Sequence, residues 1–118
     1  MILVVDDEAD LAATVTRLLG RHGHRAIAVG SCDAAQAAIR SGETPALVVL
    51  DLRLPDGDGL EVVRAARARV PPIPTIVMTG HASPATQRAA LAAGAFAFLA
   101  KPFTTASLVA LVEEALRA

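Results

Sequence analysis

Three aspartates, a threonine and a lysine carry the chemistry this sequence could perform. Asp6 and Asp7 follow the apolar run Met1-Ile2-Leu3-Val4-Val5, and Asp51 ends Ala46-Leu47-Val48-Val49-Leu50. Thr79 follows Thr75-Ile76-Val77-Met78, and Lys101 follows Ala95-Phe96-Ala97-Phe98-Leu99-Ala100. A short apolar run that stops at a polar group and gives way to Pro or Gly reads as a buried strand delivering that group to its C-terminal end. In an open parallel sheet, that end is where ligands bind. Carboxylates crowded there repel one another unless a cation joins them. Oxygen ligands suit Mg²⁺, which takes one or two carboxylates, keeps several waters and accepts a phosphate oxygen. With Mg²⁺ and Lys101 opposite three aspartates, the pocket is near neutral and can receive a phosphoryl group. Asp51 can then serve as a carboxylate nucleophile that forms an acyl phosphate, while the metal and Lys101 neutralise the transferred oxygens and Thr79 donates a hydrogen bond to one of them.

Each residue taken singly has a plainer reading. Asp6 or Asp7 alone suits a helix N-cap, Asp51 and Thr79 suit turns, and Lys101 suits a solvated surface. The coincidence of all of them at strand ends is what argues for a site.

The elements that would position these groups alternate along the chain. Leu11, Val15, Leu18 and Leu19 form a helical stripe closed by Gly20 and Gly23. Arg25 to Val29 reads as a strand, and Ser31 caps an alanine-rich helix from about Cys32 to Ser41. After Asp51 the segment Leu52 to Gly59 reads as a turn; Leu60, Val63, Ala66 and Val70 then mark a third helix that Pro71-Pro72-Ile73-Pro74 breaks. Ser83-Pro84 opens a fourth helix running to Gly94, with Leu91 its one large apolar residue, so this element is expected to be weakly packed and the easiest to move. Thr104 or Thr105 caps the last helix, along which Leu108, Leu111, Val112 and Ala115 recur. Five strands alternating with five helices require crossovers, which cover both faces of a parallel sheet. The expectation is an α/β domain spanning 1–118, a doubly wound (βα)5 fold.

The totals narrow the classes. With 118 residues, 53% of them hydrophobic, one domain can form without disulfides or a structural metal. A net charge of −1 without a basic tail argues against direct nucleic-acid binding. No membrane span or signal peptide is indicated, and Cys32, the single cysteine, cannot form an internal disulfide. A cytoplasmic location is expected, with Cys32 an inert small residue near a helix start.

Together these stretches resemble the receiver domain of two-component response regulators over essentially the whole chain. The matching wording is Leu3-Val4-Val5-Asp6-Asp7-Glu8, the block from Leu50 to Gly59, Met78-Thr79-Gly80-His81, and Gly94-Ala95 through Phe98-Leu99-Ala100-Lys101-Pro102-Phe103. The resemblance implies a flavodoxin-like sheet of strand order 2-1-3-4-5 and a phosphorylation-operated switch, not an enzyme with a separate substrate. It implies that Asp51 is the phosphoacceptor, that Asp7, Asp51 and the Arg53 backbone carbonyl bind Mg²⁺ directly, and that Asp6 acts through water. It further implies that Lys101 pairs with the phosphoryl group, that the Lys101-Pro102 bond is cis, and that Thr79 and Phe98 form the switch. The implied donor is a phosphohistidine on a sensor histidine kinase or phosphotransfer protein, and the implied self-association is a homodimer through the fourth helix, fifth strand and fifth helix. The wording of the Leu54 to Gly59 and Met78 to His81 stretches resembles receivers of transcriptional regulators.

Two other functions share parts of this pattern. A phosphatase of the haloacid-dehalogenase type also uses a strand-end aspartate with Thr or Ser, Lys and Mg²⁺, but it needs an acid two residues after the nucleophile, where this chain has Arg53. A phosphorylation-independent interaction module would be marked by loss of an acidic or lysine position, and none is lost. His81 and Arg53 read as neighbours of the acceptor; Arg64, Arg67 and Arg69 read as a solvated helix face. His22 and His24 lack a third metal ligand nearby, and Asp56-Gly57-Asp58-Gly59 does not match a calcium loop.

Overall fold

A computed structural model describes all residues, 1–118. In chain order the elements are β1 (Ile2–Val5), α1 (Ala9–Arg21), β2 (Ala26–Val29), α2 (Cys32–Arg40), β3 (Leu47–Asp51), β4 (Arg53–Leu54), β5 (Gly57–Asp58), α3 (Gly59–Arg67), β6 (Thr75–Thr79), α4 (Pro84–Ala93), β7 (Ala97–Ala100) and α5 (Thr105–Arg117). β1, β2, β3, β6 and β7 form one parallel sheet in the order β2-β1-β3-β6-β7. Counting only these five, the order is the expected 2-1-3-4-5.

The period-two alternation of the central strands sorts their side chains onto two apolar layers. Leu3, Val5, Val48, Leu50 and Val77 pack with α2, α3 and α4 through Ala35, Ile39, Val62, Val63, Ala66 and Ala90. Ile2, Val4, Leu47, Val49, Ile76 and Met78 pack with α1 and α5 through Ala12, Val15, Leu19, Leu108, Val112 and Ala115. Apart from Thr75 and the polar residues at their C-terminal ends, these central strands are apolar, because neither face meets water. Register then does the positioning. Val5 lies beside Leu50, so one further step brings Asp6 beside Asp51 on the α1/α5 face.

Three of the helix starts follow the sequence signals. Ser31, Ser83 and Thr104 accept backbone N–H bonds at the N-termini of α2, α4 and α5, with Pro84 in the first turn of α4. Thr104, not Thr105, is the cap of α5. Gly94 closes α4 at φ 109, a left-handed conformation that suits glycine.

Two expectations fail. The turn between Asp51 and Gly59 contains a small antiparallel hairpin, with Arg53 opposite Asp58 and Leu54 opposite Gly57. The third helix stops at Arg67 and does not reach Val70, which is 95% exposed. Pro71 holds Val70 away from helical backbone, has no N–H for the Arg67 carbonyl four residues back and would clash with it, so the helix cannot continue through Val70. The Ile73 N–H then returns to the Ala66 carbonyl at 3.0 Å and Ile73 takes the core position instead.

Candidate functional site

The C-terminal ends of β1, β3 and β6 and the segment after β7 converge on one cavity of about 250 Å³, lined by Asp7, Glu8, Asp51, Arg53, Gly80, His81 and Lys101. Asp51, the last residue of β3, is 6% exposed, and Asp6, just past β1, is 2% exposed. Buried carboxylates require partners. Lys101 supplies one to both. Its Nζ donates to Asp51 Oδ2 at 2.7 Å and to Asp6 Oδ2 at 3.1 Å, and stands 4.0 Å from Glu8 Oε1. The remaining oxygens are held by the turns that follow them: Asp51 Oδ1 accepts the Arg53 N–H at 3.0 Å and Asp6 Oδ1 accepts the Glu8 N–H at 2.9 Å. Each carboxylate is thus fixed from its own loop and bridged by one cation.

Burial works against the Lys101 charge, but the hydrogen bonds and charges of Asp51 and Asp6 outweigh it and hold the ammonium pKa above the ordinary lysine range. The lysine is reached from β7, two strands away. Its backbone N–H donates to the Thr79 carbonyl at 2.8 Å, which ties the lysine loop to the end of β6, and the Lys101-Pro102 bond is cis.

Thr79 is 1% exposed and its Oγ1 accepts the His81 N–H at 3.1 Å. An oxygen already engaged as acceptor leaves the hydroxyl hydrogen free for a further acceptor, although Thr79 itself lies behind the residues that line the cavity. Phe98 lies opposite Val77 in the β6/β7 register and is half-buried against the α2/α3/α4 layer. Thr79 and Phe98 share that sheet face, diagonally placed on adjacent strands. Arg53 and His81 are exposed at the cavity mouth.

The donor set fits a hard divalent cation. Carboxylate oxygens of Asp6, Glu8 and Asp51 lie within 4.8 Å of one another, and Lys101 is the one cation paired with them. Asp7 is exposed and lines the same cavity but is outside this close group. Glu8 is the residue that sequence reasoning passed over, although it was visible as the third acid of Asp6-Asp7-Glu8. Neither Asp6 nor Asp7 caps α1; its N-cap is Glu8, without a side-chain bond.

The family model for the response regulator receiver domain matches residues 2–113. The chain belongs to that family. The receiver is 39% identical over 117 residues to the transcriptional regulatory protein PrrA of Mycobacterium tuberculosis, a match covering 98% of this chain and 49% of that protein. Among solved structures, the receiver domain of NtrX from Brucella abortus superposes with a TM-score of 0.91 at 35% identity, covering 100% of this chain and 99% of the other. The beryllofluoride-activated NtrC4 receiver domain dimer superposes with a TM-score of 0.90 at 31% identity, covering 98% and 95%. The chain spans about a quarter to a half of the length of the curated relatives it matches. As a receiver domain of the two-component response regulators, it is a phosphorylation-activated switch. No helix is long and apolar enough to cross a membrane.

Proposed function

We propose that Asp51 is the phosphoacceptor and that the donor is a phosphohistidine of a sensor histidine kinase or phosphotransfer protein. The observation that carries this reading is the Lys101 ammonium bridging Asp51 and Asp6 beside an open polar cavity. An Asp51 carboxylate oxygen bonds to phosphorus as the bond from phosphorus to the donor imidazole nitrogen breaks, and the imidazole leaves. Lys101 is already in place to hold a phosphoryl oxygen, and the free Thr79 hydroxyl hydrogen turns to another. Asp6, Asp7, Asp51 and the Arg53 carbonyl would hold Mg²⁺, with Glu8 close by. The ion, when bound, neutralises the crowded carboxylates and the incoming oxygens. Attack of water at phosphorus breaks the bond to the Asp51 oxygen, releases inorganic phosphate and returns the carboxylate to its starting state, so the domain resets itself and needs no separate substrate. Arg53 and His81, at the mouth, govern water access.

Readout follows from packing. As Thr79 turns inward, space opens beside β6 that the Phe98 ring fills, so one added charge selects between two packings of the α4/β7 surface. α4 suits this role because Ala90 is its one buried residue. Leu91, Phe96 and Leu116 are each more than a third exposed on or beside α4, β7 and α5, the surface through which a homodimer would form. The receiver would work in the cytoplasm, where kinases present their phosphohistidine, as the input to a transcriptional output.

Incubation with a small phosphodonor and Mg²⁺ tests the acceptor. Intact mass should rise by one phosphoryl group in the wild type and stay unchanged in Asp51→Asn; labelling that persists in the variant places the acceptor elsewhere.

A further inference from the structure

The turn that carries the Arg53 carbonyl is held from two sides. On the α3 side, Asp58 Oδ1 accepts the Leu60 N–H at 2.9 Å, and Gly59 is pressed so closely on the Leu52 backbone that a Cβ would stand 2.7 Å from its Cα. On the other side, Asp56 at the hairpin tip reaches a different helix. Its Oδ1 accepts the Cys32 N–H at 2.7 Å and its Oδ2 accepts the Asp33 N–H at 3.0 Å, both in the first turn of α2. α2 already has its own cap, because Ser31 Oγ accepts the Ala34 N–H at 3.1 Å. A helix start served by a local serine thus receives a second cap, a carboxylate from 23 residues beyond Asp33 in the chain. Below the fork, buried Cys32 places its Sγ 3.7 Å from the Asp58 carbonyl oxygen.

A fork with both oxygens engaged fixes orientation as well as distance, and a negative group there meets the positive end of the helix dipole. The hairpin needs such an anchor. Two residues per strand have no stability of their own, so the hairpin adopts the geometry its attachments impose. From the anchored tip, Leu54 pairs with Gly57 and Arg53 with Asp58, and the Arg53 N–H in turn fixes Asp51 Oδ1.

We infer that Asp56 is a positioning residue for the metal-binding turn: by clamping the hairpin to the start of α2 it sets where the Arg53 carbonyl and the Asp51 carboxylate stand. The inference rests on the proposed Mg²⁺ site. It makes α2 a support of the site, although none of its residues reaches the cavity.

The test is a Mg²⁺ titration followed by backbone amide shifts, with thermal midpoints measured alongside, on the wild type and on Asp56→Ala, Asp56→Asn and Ser31→Ala. All titrations are run well below the lowest midpoint. Removing a support of a metal ligand typically weakens binding by about tenfold or more, and that is the loss expected in Asp56→Ala. Asp56→Asn keeps one acceptor oxygen and should fall between Asp56→Ala and the wild type. Ser31→Ala loses a cap of the same helix but keeps the fork, so its midpoint should drop while its Mg²⁺ affinity stays at the wild-type value. Wild-type affinity in Asp56→Ala, or an equal loss in Ser31→Ala, overturns the inference. If Asp56→Ala does not fold, wild-type affinity in Asp56→Asn does the same. A wild type that shows no saturable response removes the metal site itself, and the inference with it.

Discussion

At the scale of single residues, Lys101 is the hinge of the electrostatics. It is the one cation within reach of two buried carboxylates, so Lys101→Met leaves Asp6 and Asp51 side by side without a counter-charge. Hydrogen bonds to charged groups are worth roughly 1.5–3 kcal/mol, so urea unfolding in metal-free buffer should show a loss of that order, with Mg²⁺ restoring part of it. A second effect belongs to Asp56. The Asp33 and Cys32 backbone N–H groups hold its carboxyl below the ordinary value of 3.8. A carboxyl with a depressed folded pKa contributes stability that is complete above its unfolded pKa and is lost as pH falls through the folded value. Cys32 and Asp33 are the titratable residues whose backbone N–H groups meet its carboxylate. Unfolding measured from pH 5 downward should therefore show Asp56→Ala losing less stability than the wild type below about pH 3.8. Asp51, Asp6, Thr79 and Lys101 are legible in the sequence as candidates because strand ends announce themselves through the apolar runs before them. The Asp56 fork is not, since Pro55-Asp56-Gly57 reads as an ordinary turn tip and its partners are distant in the chain.

At the scale of elements, what the sequence concealed is where local pattern gave way to backbone constraint. Val70 has the right spacing for the α3 stripe, but the proline after it decides its conformation and Ile73 takes its place in the core. The hairpin after Asp51 was hidden because two-residue strands carry no periodicity. The start of α3 offers a direct test of how tightly this turn is built. A Cβ on Gly59 would meet backbone atoms of Leu52 and Asp51 at 2.7–2.8 Å, and backbone cannot swing aside as a flexible side chain does. Gly59→Ala should destabilise the domain by roughly 1–3 kcal/mol in urea unfolding and displace the Asp51 and Arg53 amide signals. By contrast, the crowding at Gly94 comes from the Arg67 side chain, and its φ of 109 supplies the remaining strain.

At the scale of the molecule, two apolar layers hold a five-stranded sheet whose edge carries the site, and this architecture was legible from the alternation of strands and helices alone. The sheet order came from resemblance, because periodicity does not say which strands are neighbours. Since Mg²⁺ at the site favours the folded state, stability should rise with the ion: at one hundred times its dissociation constant the gain is about 2.7 kcal/mol, read as a shifted urea midpoint. The central claim is that charge added at Asp51 is transmitted through Thr79 to Phe98 and the α4/β7 surface. It is tested most directly by amide spectra with and without beryllofluoride and Mg²⁺. In the wild type, shifts should appear around Asp51 and extend through Thr79 and Phe98 into α4, while Asp51→Asn should show none of the beryllofluoride-dependent shifts. An unchanged wild-type spectrum at saturation, or shifts confined to the cavity, would contradict the account.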